Sequence, residues 1–597
     1  MSSQQRCRPP FVGAAHTEGE DMGTLVTAPG RWEWHGTYYE KHVPKGARFL
    51  WDATRKVWWT SIPELAMKLL EYADPPTRAA LSARLAHETQ ALDASRAETA
   101  DYPVPAPPGC EYRPFQIAAV QYALNTRSGN CLFGDEMGLG KTIEALGTIN
   151  ALPENPTTLV VCPATVKQHW AQKAREWLLW KPNVYVWGSG DELLLPTLDV
   201  YARTVHITNW EMLAVKDADG EAHARPQWLA LRPDILILDE SHRMKSAKAQ
   251  RTIAALEIAQ TAERIWCLTG TPITNRPVEL WNMLHMLDPE YWKSRSWYVK
   301  RYCNAHQETV GYRHPRRVWD EGGASNLDEL QERLRKSVMV RRRKADVLKE
   351  LPAKTRSIIE LDATKYGAVL AEEARVTIAS RESVAAIRKR MLRLDPKHHD
   401  EAYKAAVAEL HASFTVAFTE ISRVRHLTAL AKVGDVVDFV EDALESERKV
   451  ILYAHHLDVN DRCAKALNPY GVVTLTGADS QEARNEAIRR FQEDPAIRVF
   501  IGSTQAAGLG ITLTAASTVI FAELDWVPAN LSQAEDRAHR IGQASSVSVY
   551  HLVVDGSLDA RMASVIVEKQ DIIDRALDVP TAQEIKPFEV LGIQGVT

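Results

Sequence analysis

The chain has none of the features that mark a secreted, zinc-bound or membrane-spanning protein. Its seven cysteines are scattered and form no C-x-x-C pair, so neither a disulfide framework nor a zinc cluster is indicated. No apolar run is long enough to span a bilayer, and the N-terminus has no apolar signal segment. We therefore expect a soluble intracellular protein with reduced thiols and no membrane partner, cytoplasmic if its source is prokaryotic or a phage and nuclear if it is eukaryotic.

The chain also lacks an excess of positive charge. It carries 72 Lys and Arg residues against 77 Asp and Glu residues, which gives a formal net charge of -5 at pH 7. A basic excess is a common mark of proteins that bind nucleic acid. Any binding to DNA must therefore come from local patches on the surface.

Short apolar runs alternate with helical segments after residue 110. Such continuous runs are typical of strands that are buried on both faces of a parallel sheet. They predict an α/β fold with two parallel-sheet lobes at 110–290 and 431–580, a helix-rich connection at 291–430 and a tail at 581–597. The predicted strands are 130–133, 158–162, 204–208, 234–239 and 264–269 in the first lobe, and 449–454, 471–476, 497–502, 517–522 and 547–553 in the second.

The first part of the chain differs in composition. We expect a loose N-terminus at 1–30, a small accessory α+β module at 31–100 and, at 101–109, a Pro-rich linker. Within the module, a helix is predicted over 62–87, interrupted by Pro75-Pro76.

The accessory module is dense in aromatic residues, and two interpretations of them remain open. Exposed rings beside Arg48, Arg55 and Lys56 could stack on unpaired bases and steer the protein to forks or single-strand junctions. Alternatively, the tryptophans fill a small hydrophobic core. The tryptophans concerned are Trp51, Trp58 and Trp59.

The segment Leu132–Thr142, LFGDEMGLGKT, predicts a phosphate-binding loop. It follows an apolar strand and opens a helix, which is the context that such a loop requires. Gly138 and Gly140 let backbone N–H groups turn toward phosphate oxygens, and the helix N-terminus adds its dipole. Lys141 would neutralise phosphate charge and Thr142 would bind Mg²⁺. Asp135 stands where the strict Gly-x-x-x-x-Gly-Lys pattern has glycine.

A second strand ends in a pair of carboxylates. The apolar run DILILD is followed directly by Glu240, so Asp239 and Glu240 lie at the end of a parallel strand, where ligands bind. Asp239 can hold Mg²⁺, and Glu240 can polarise an attacking water as a general base. Together with the phosphate loop, the pair predicts hydrolysis of a nucleoside triphosphate.

At this point the sequence resembles the Swi/Snf-related branch of helicase superfamily 2. The segments that carry the resemblance follow in the family's order over about residues 110–580: RPFQ (113–116), DEMGLGKT (135–142), CPATVKQHW (162–170), ITNWEML (207–213), DESH (239–242), LTGTP (268–272), VMVRRRKADVLKELP (338–352), STQAAGLGITLTAA (503–516) and QAEDRAHRIGQ (533–543). The DEMGLGKT form with Asp135 is this branch's own. The YAHH (453–456) and STQAAGLG forms are similar to annealing helicases of the HARP type, and we expect a phage or bacterial member.

The resemblance implies two RecA-like lobes that share one ATP, with Mg²⁺ as the cofactor. It implies that Arg537 and Arg540 of the second lobe act on the transferring phosphate as arginine fingers. We expect both on one helical face, with Gln533 one turn earlier. The predicted catalytic residues are Lys141, Asp239, Glu240, Arg537 and Arg540. The predicted ATP contacts are Arg113, Gln116, Asp135, Glu136, Met137, Gly138, Leu139, Gly140, Lys141, Thr142 and Gln533.

The expected partner is double-stranded or forked DNA, gripped through phosphates without regard to sequence. The candidate contacts are Lys167, Thr208, Asn209, Thr476, Gly477 and Ser503. The main hypothesis is a DNA-stimulated ATPase that translocates on duplex DNA in repair, fork remodelling or strand annealing. The alternatives are a strand-separating helicase and a DNA-binding scaffold that no longer hydrolyses ATP.

Overall fold

The computed structural model describes residues 23–188, 204–216, 220, 222–270, 272, 276–310, 316–391, 400–504, 511–525 and 528–563. The chain divides into two compact units, Met1–Gln90 and Ala91–Thr597. The division falls inside a helix, upstream of the predicted Pro-rich linker. The reason is that the end of this helix belongs to the second unit, where the Ser95 hydroxyl donates to the Met339 carbonyl at 2.7 Å. The predicted tail at 581–597 lies outside the described residues.

The first unit contains a four-stranded antiparallel sheet with short helices, in strand order β1-β2-β4-β3. Residues 24–28, which we expected in a loose N-terminus, form strand β1 because they pair along their whole length with β2. The bounds are β1 Thr24–Ala28, β2 Arg31–His35, α1 His42–Gly46, β3 Leu50–Asp52, β4 Val57–Thr60, α2 Pro63–Met67 and α3 Pro75–Arg96, of which α3 continues into the second unit.

Tryptophans of the first unit divide between core and surface. Trp34 is buried with Leu25, Phe49 and Leu81. Trp51, in contrast, is 51% exposed. Pro75 begins α3 rather than interrupting a helix, because proline is well suited to the first turn, where its missing N–H has no partner to lose.

The first lobe of the second unit is a seven-stranded sheet in the order β15-β5-β12-β11-β6-β8-β7, with every neighbouring pair parallel. Its strands are β5 Cys131–Phe133, β6 Thr158–Cys162, β7 Asn183–Val186, β8 Thr204–Asn209, β11 Ile235–Asp239, β12 Arg264–Leu268 and β15 Met339–Val340. The helices are α4 Pro114–Leu124, α5 Lys141–Asn150, α6 Lys167–Trp177, α7 Pro226–Leu231, α8 Gln250–Ala259, α9 Trp281–Leu287, α10 Arg295–Tyr302 and α11 Leu327–Ser337. Two hairpins are added, β9 Ala214–Lys216 with β10 Ala222–Ala224, and β13 His306–Val310 with β14 Arg316–Asp320.

The second lobe is a six-stranded sheet in the order β16-β21-β20-β17-β19-β18, again parallel throughout. Its strands are β16 Lys354–Leu361, β17 Val450–Ala454, β18 Val472–Leu475, β19 Val499–Ser503, β20 Thr518–Phe521 and β21 Val547–Val554. The short helix α12 Lys344–Val347 precedes β16. The remaining helices are α13 Gly367–Met391, α14 Asp400–Ala431, α15 Val433–Ser446, α16 Leu457–Leu467, α17 Gln481–Glu493 and α18 Pro528–Glu535.

The central strands of both sheets are buried on both faces, which explains their uninterrupted apolar sequences. Ligands of parallel sheets bind beyond the carboxyl ends of the strands, which here include Phe133, Asp239, Ala454 and Ser503. Among the described residues, no helix combines the length and apolar composition that crossing a bilayer requires.

Candidate active site

A cavity of about 730 Å³ lies between the two lobes and is lined by residues of both. Its volume is in the range of ordinary small-molecule sites. The residues predicted from the sequence that line it are Met137, Gly138, Gly140, Lys141, Thr142, Asp239, Glu240, Gly477, Ser503, Gln533, Arg537 and Arg540.

The loop between β5 and α5 forms one wall of the cavity. Gly138 and Gly140 have φ values of 88° and 92°, a left-handed conformation that side chains rarely adopt. Helix α5 begins directly at Lys141, so its N-terminal N–H groups and dipole face the loop. The Lys141 ammonium donates to the Asp135 carbonyl at 2.9 Å across the loop. This is the geometry of an anion-binding loop with a lysine ammonium beside it.

The two carboxylates at the end of β11 form the floor of the cavity. The Trp170 indole N–H donates to Asp239 Oδ2 at 2.8 Å and fixes its orientation. Glu240 has a left-handed φ of 51°, a strained conformation that turns the chain sharply after the strand. Its Oε2 atom lies 3.3 Å from His242 Nδ1.

The electrostatic environments of these two carboxyls differ. Burial and the neighbouring charge of Glu240 raise the pKa of Asp239. Burial also opposes ionisation of Glu240, but His242, Lys141 and Arg537 outweigh it and hold the pKa of Glu240 below its usual range. Glu240 is therefore ionised at neutral pH and can accept a proton.

Arg537 and Arg540 come from the second lobe and face the first. The positive charge of Arg537 acts on Glu240 of the opposite lobe. Arg540 Cβ lies 3.2 Å from where a side chain on Gly138 would begin. Both arginines lie in the turns that follow α18, which ends at Glu535, so our expectation of a single helical face is wrong. The turn still brings both of them, and Gln533 of α18, to the cavity.

Several predicted ATP contacts lie outside the cavity lining and interact with other parts of the protein. Gln116 is buried and donates from Nε2 to the Leu139 carbonyl at 3.0 Å. Arg113 pairs with Glu350 at 3.1 Å, away from the cavity lining. Leu139 is buried in an apolar cluster, and Glu136 accepts the backbone N–H of Lys344. These four predicted contacts therefore do not line the cavity.

Asp135, which departs from the strict loop pattern, forms a buried ion pair. Its Oδ2 atom lies 2.6 Å from Arg342 Nη2, and the two side chains are 0% and 2% exposed. Arg342 also donates its backbone N–H to Asp135 Oδ1 and a guanidinium N–H to the Phe115 carbonyl. A glycine at 135 would lose this anchor. Asp135 thus joins the loop to the segment that leaves the first lobe.

Arg342→Met is expected to lower the free energy of unfolding of the second unit by about 3–5 kcal/mol, because it leaves a buried carboxylate without its partner. Urea unfolding monitored by tryptophan fluorescence measures the loss. Arg343→Met is the matched control, because the neighbouring Arg343 is 43% exposed and pairs with Asp346. It should cost at most about 1 kcal/mol. Equal losses in the two variants would contradict the anchoring role of the buried pair.

Two of the six predicted DNA contacts line the cavity, and the other four do not. Gly477 and Ser503 line the second-lobe side of the cavity. Lys167 donates to the Trp187 carbonyl at 2.7 Å and to Asn209 Oδ1 at 3.3 Å, and Thr476 donates to Asp479 at 3.0 Å. The side chain of Thr208 is fully buried in β8, a strand in which every residue is buried. It cannot contact DNA from there.

The sequence did not identify several residues that shape the cavity. Trp170 and His169 were visible only as part of the segment CPATVKQHW, and His455 only as part of YAHH. Arg484, on α17, also lines the cavity. Lys344, which links the lobes, was visible only as part of the basic run RRRK. Their roles depend on contacts between distant parts of the chain.

Comparison with known families agrees with this two-lobe arrangement. Residues 115–399 match the SNF2-related domain, and residues 431–542 match the helicase conserved C-terminal domain. The chain belongs to the SNF2-related family. These matches confirm the predicted Swi/Snf-related ATPase family and the predicted α/β fold of two RecA-like lobes. They also confirm the general prediction of ATP use.

SNF2-related proteins similar to this chain include two curated relatives. The human protein named DNA annealing helicase and endonuclease ZRANB3 is 34% identical over 469 residues, which are 78% of this chain and 40% of that protein. The Xenopus tropicalis SWI/SNF-related matrix-associated actin-dependent regulator of chromatin subfamily A-like protein 1 is 33% identical over 475 residues, or 78% of this chain and 45% of that protein. The chain thus spans less than half the length of these SNF2-related relatives.

A solved SNF2-related structure was also matched. The Sulfolobus solfataricus SWI2/SNF2 ATPase core in complex with dsDNA matches 82% of this chain and 98% of its own, with 19% identity and a TM-score of 0.34.

Proposed function

We propose that this chain is an ATP-driven translocase on double-stranded DNA, with one nucleotide site shared by its two lobes. The observation that carries the proposal is the cavity between the lobes, where a phosphate loop and two carboxylates face two arginines. We propose the lobes at 110–290 and 431–580, to which the connecting segment adds β15 in the first-lobe sheet and β16 in the second-lobe sheet. Relatives that are named annealing helicases support repair, fork remodelling or strand annealing as the process, on double-stranded or forked DNA.

Mg²⁺ fits the side chains at the base of the loop. Thr142 and Asp239 would hold it, because a hydroxyl and a carboxylate are the hard oxygen ligands it prefers. Burial and Glu240 make the ionised form of Asp239 costly, and a cation nearby would offset that cost. When bound, Mg²⁺ supplies positive charge to the terminal phosphates.

Different residues around the cavity then have different roles in hydrolysis. The loop N–H groups and Lys141 bind the phosphates. Glu240 orients a water and takes its proton as the water attacks the terminal phosphorus. Arg537 and Arg540 stabilise the charge that spreads over the transferring phosphoryl oxygens. Because these groups come from both lobes, the triphosphate holds the lobes together until it is cleaved.

Movement follows from this dependence of lobe closure on the nucleotide. Cleavage and release of phosphate remove the charge that links Lys141 with the arginines, so the open state becomes favoured. If each lobe grips the same DNA backbone, repeated closing and opening advances the protein. The proposed backbone contacts are Lys167, Asn209, Thr476, Gly477 and Ser503.

Binding to duplex DNA should be independent of sequence and steeply dependent on salt. Each phosphate that a Lys or Arg side chain neutralises contributes a slope of about -0.9, so about five such contacts, Lys167 among them, would lower affinity by about 10²–10³-fold between 50 and 200 mM salt. Fluorescence anisotropy with two duplexes of equal length and different sequence measures both properties. A strong preference for one sequence would contradict a grip made through phosphates.

ATP turnover measured without DNA, with duplex and with single strands separates this function from its alternatives. The proposal expects duplex to stimulate turnover and expects ATP-dependent displacement of the third strand of a triplex. Stimulation by single strands alone would favour a strand-separating helicase. An absence of turnover would leave a DNA-binding scaffold.

A further inference from the structure

Lys344 lies between the two lobes and contacts both. It begins α12, four residues after β15, and its side chain is 3% exposed. Its backbone N–H donates to Glu136 Oε2 in the first lobe at 2.7 Å. Its ammonium donates to the His539 carbonyl of the second lobe at 2.7 Å and lies 2.9 Å from Asp536 Oδ1.

These contacts fall directly beside the residues that would act on the phosphate. Glu136 is part of the phosphate loop, and Lys344 Cε lies 3.3 Å from where a side chain on Gly138 would begin. Asp536 and His539 immediately precede Arg537 and Arg540. Lys344 therefore contacts a residue of the phosphate loop and residues that adjoin the two arginines.

The surroundings of Lys344 hold it in place from both sides. On the N-terminal side, Arg341 Nη1 donates to the Gly134 and Gly270 carbonyls at 2.5 and 3.1 Å, and Arg342 pairs with Asp135. Its C-terminal neighbours pack in an apolar cluster drawn from both lobes: Phe115, Leu139, Leu348, Val347, Leu351 and Ile541. The segment thus has little freedom to move without moving the loop.

We propose that Lys344 is a positioning residue, which holds Arg537 and Arg540 in register with the phosphate loop without touching the nucleotide. This inference rests on the proposed ATPase function. Burial makes the charged ammonium costly and lowers the pKa of Lys344, and the carboxylates of Asp536 and Glu136 offset part of that cost. Removing the charge would cut the polar link that Lys344 makes to the turn of Arg537 and Arg540.

Lys354 provides a matched control. Its ammonium lies 3.1 Å from the same Asp536 oxygen and 2.9 Å from Glu535, but Lys354 begins β16 and contacts only the second lobe through these pairs. Lys344→Met and Lys354→Met therefore take the same group from the same carboxylate. Only the first removes a link between the lobes.

The test compares kcat and KM for ATP in the two full-length variants at saturating duplex DNA. Lys344→Met is expected to lower kcat by about 10–100-fold, the cost of a small misplacement of catalytic groups, with little change in KM. Lys354→Met should retain a kcat near that of the wild type. Equal falls in both variants, an unchanged kcat in Lys344→Met, or a rise in its KM alone would overturn the proposal.

Glu136→Ala cuts the same link from the loop side and covers the case in which Lys344→Met does not fold. Glu136 is partly exposed, so its loss leaves no buried charge there. A fall in kcat with a steady KM is expected again, and a wild-type kcat would overturn the proposal. If the wild-type chain itself lacks DNA-stimulated turnover, the proposed function fails. If the wild type turns over and both variants match it, only the role of Lys344 fails.

Discussion

Arg537→Ala should lower DNA-stimulated ATP turnover by about 10³–10⁵-fold, the usual contribution of an arginine finger. The expected size follows from its place in the structure. Arg537 reaches the cavity from the second lobe, and its charge acts on Glu240 of the first lobe. The kcat at saturating ATP and duplex DNA measures the effect.

Arg489→Ala is a suitable control for Arg537→Ala. Arg489 also lies in the second lobe, but it is 55% exposed and pairs with Glu486 and Glu493 on the surface of α17. Its loss should leave kcat unchanged. An Arg537 variant with most of its turnover intact would show that Arg537 does not supply the catalytic charge.

Glu240→Gln is expected to lower kcat by about 10²–10⁴-fold, the range for a general base, while ATP still binds. Glutamine has nearly the same shape but cannot accept a proton from the attacking water. The neighbouring charges of His242, Lys141 and Arg537, which keep the pKa of Glu240 low despite its burial, indicate that the carboxylate is ionised and ready for this role.

Single-turnover hydrolysis and the affinity for a fluorescent ATP analogue distinguish the step that Glu240→Gln affects. We expect the chemical step to be lost while nucleotide affinity and DNA binding are retained. Glu176→Gln, at an exposed position paired with Lys173 on α6, should behave as the wild type. Loss of nucleotide binding in Glu240→Gln, with its kcat unchanged once ATP is saturating, would contradict the assignment.

The sheets and the phosphate loop could be predicted because their determinants are local. The central strands of the two sheets are continuous apolar runs, since both of their faces are covered. The loop is specified by adjacent glycines, a lysine and the helix that follows it. These features are contained in short segments, so β5, β6, β8, β11 and β12 fall close to where the sequence placed them.

The supports of the site could not be predicted because they join residues that are far apart in the chain. Asp135 and Arg342 are 207 positions apart, yet they form the buried pair that anchors the loop. Helical spacing suggested one face for Arg537 and Arg540, but α18 ends at Glu535 and a turn carries them. Thr208 was selected by its motif, while its burial depends on how the sheet packs against its helices.

The shared nucleotide site can be tested by a structure of the chain bound to duplex DNA and to ADP with aluminium fluoride. We expect one nucleotide per chain, with Lys141 and at least one of Arg537 and Arg540 within hydrogen-bonding distance of the fluoride. We also expect Glu240 beside the attacking water. A fluoride held by the first lobe alone, with both arginines directed away from it, would contradict the shared site.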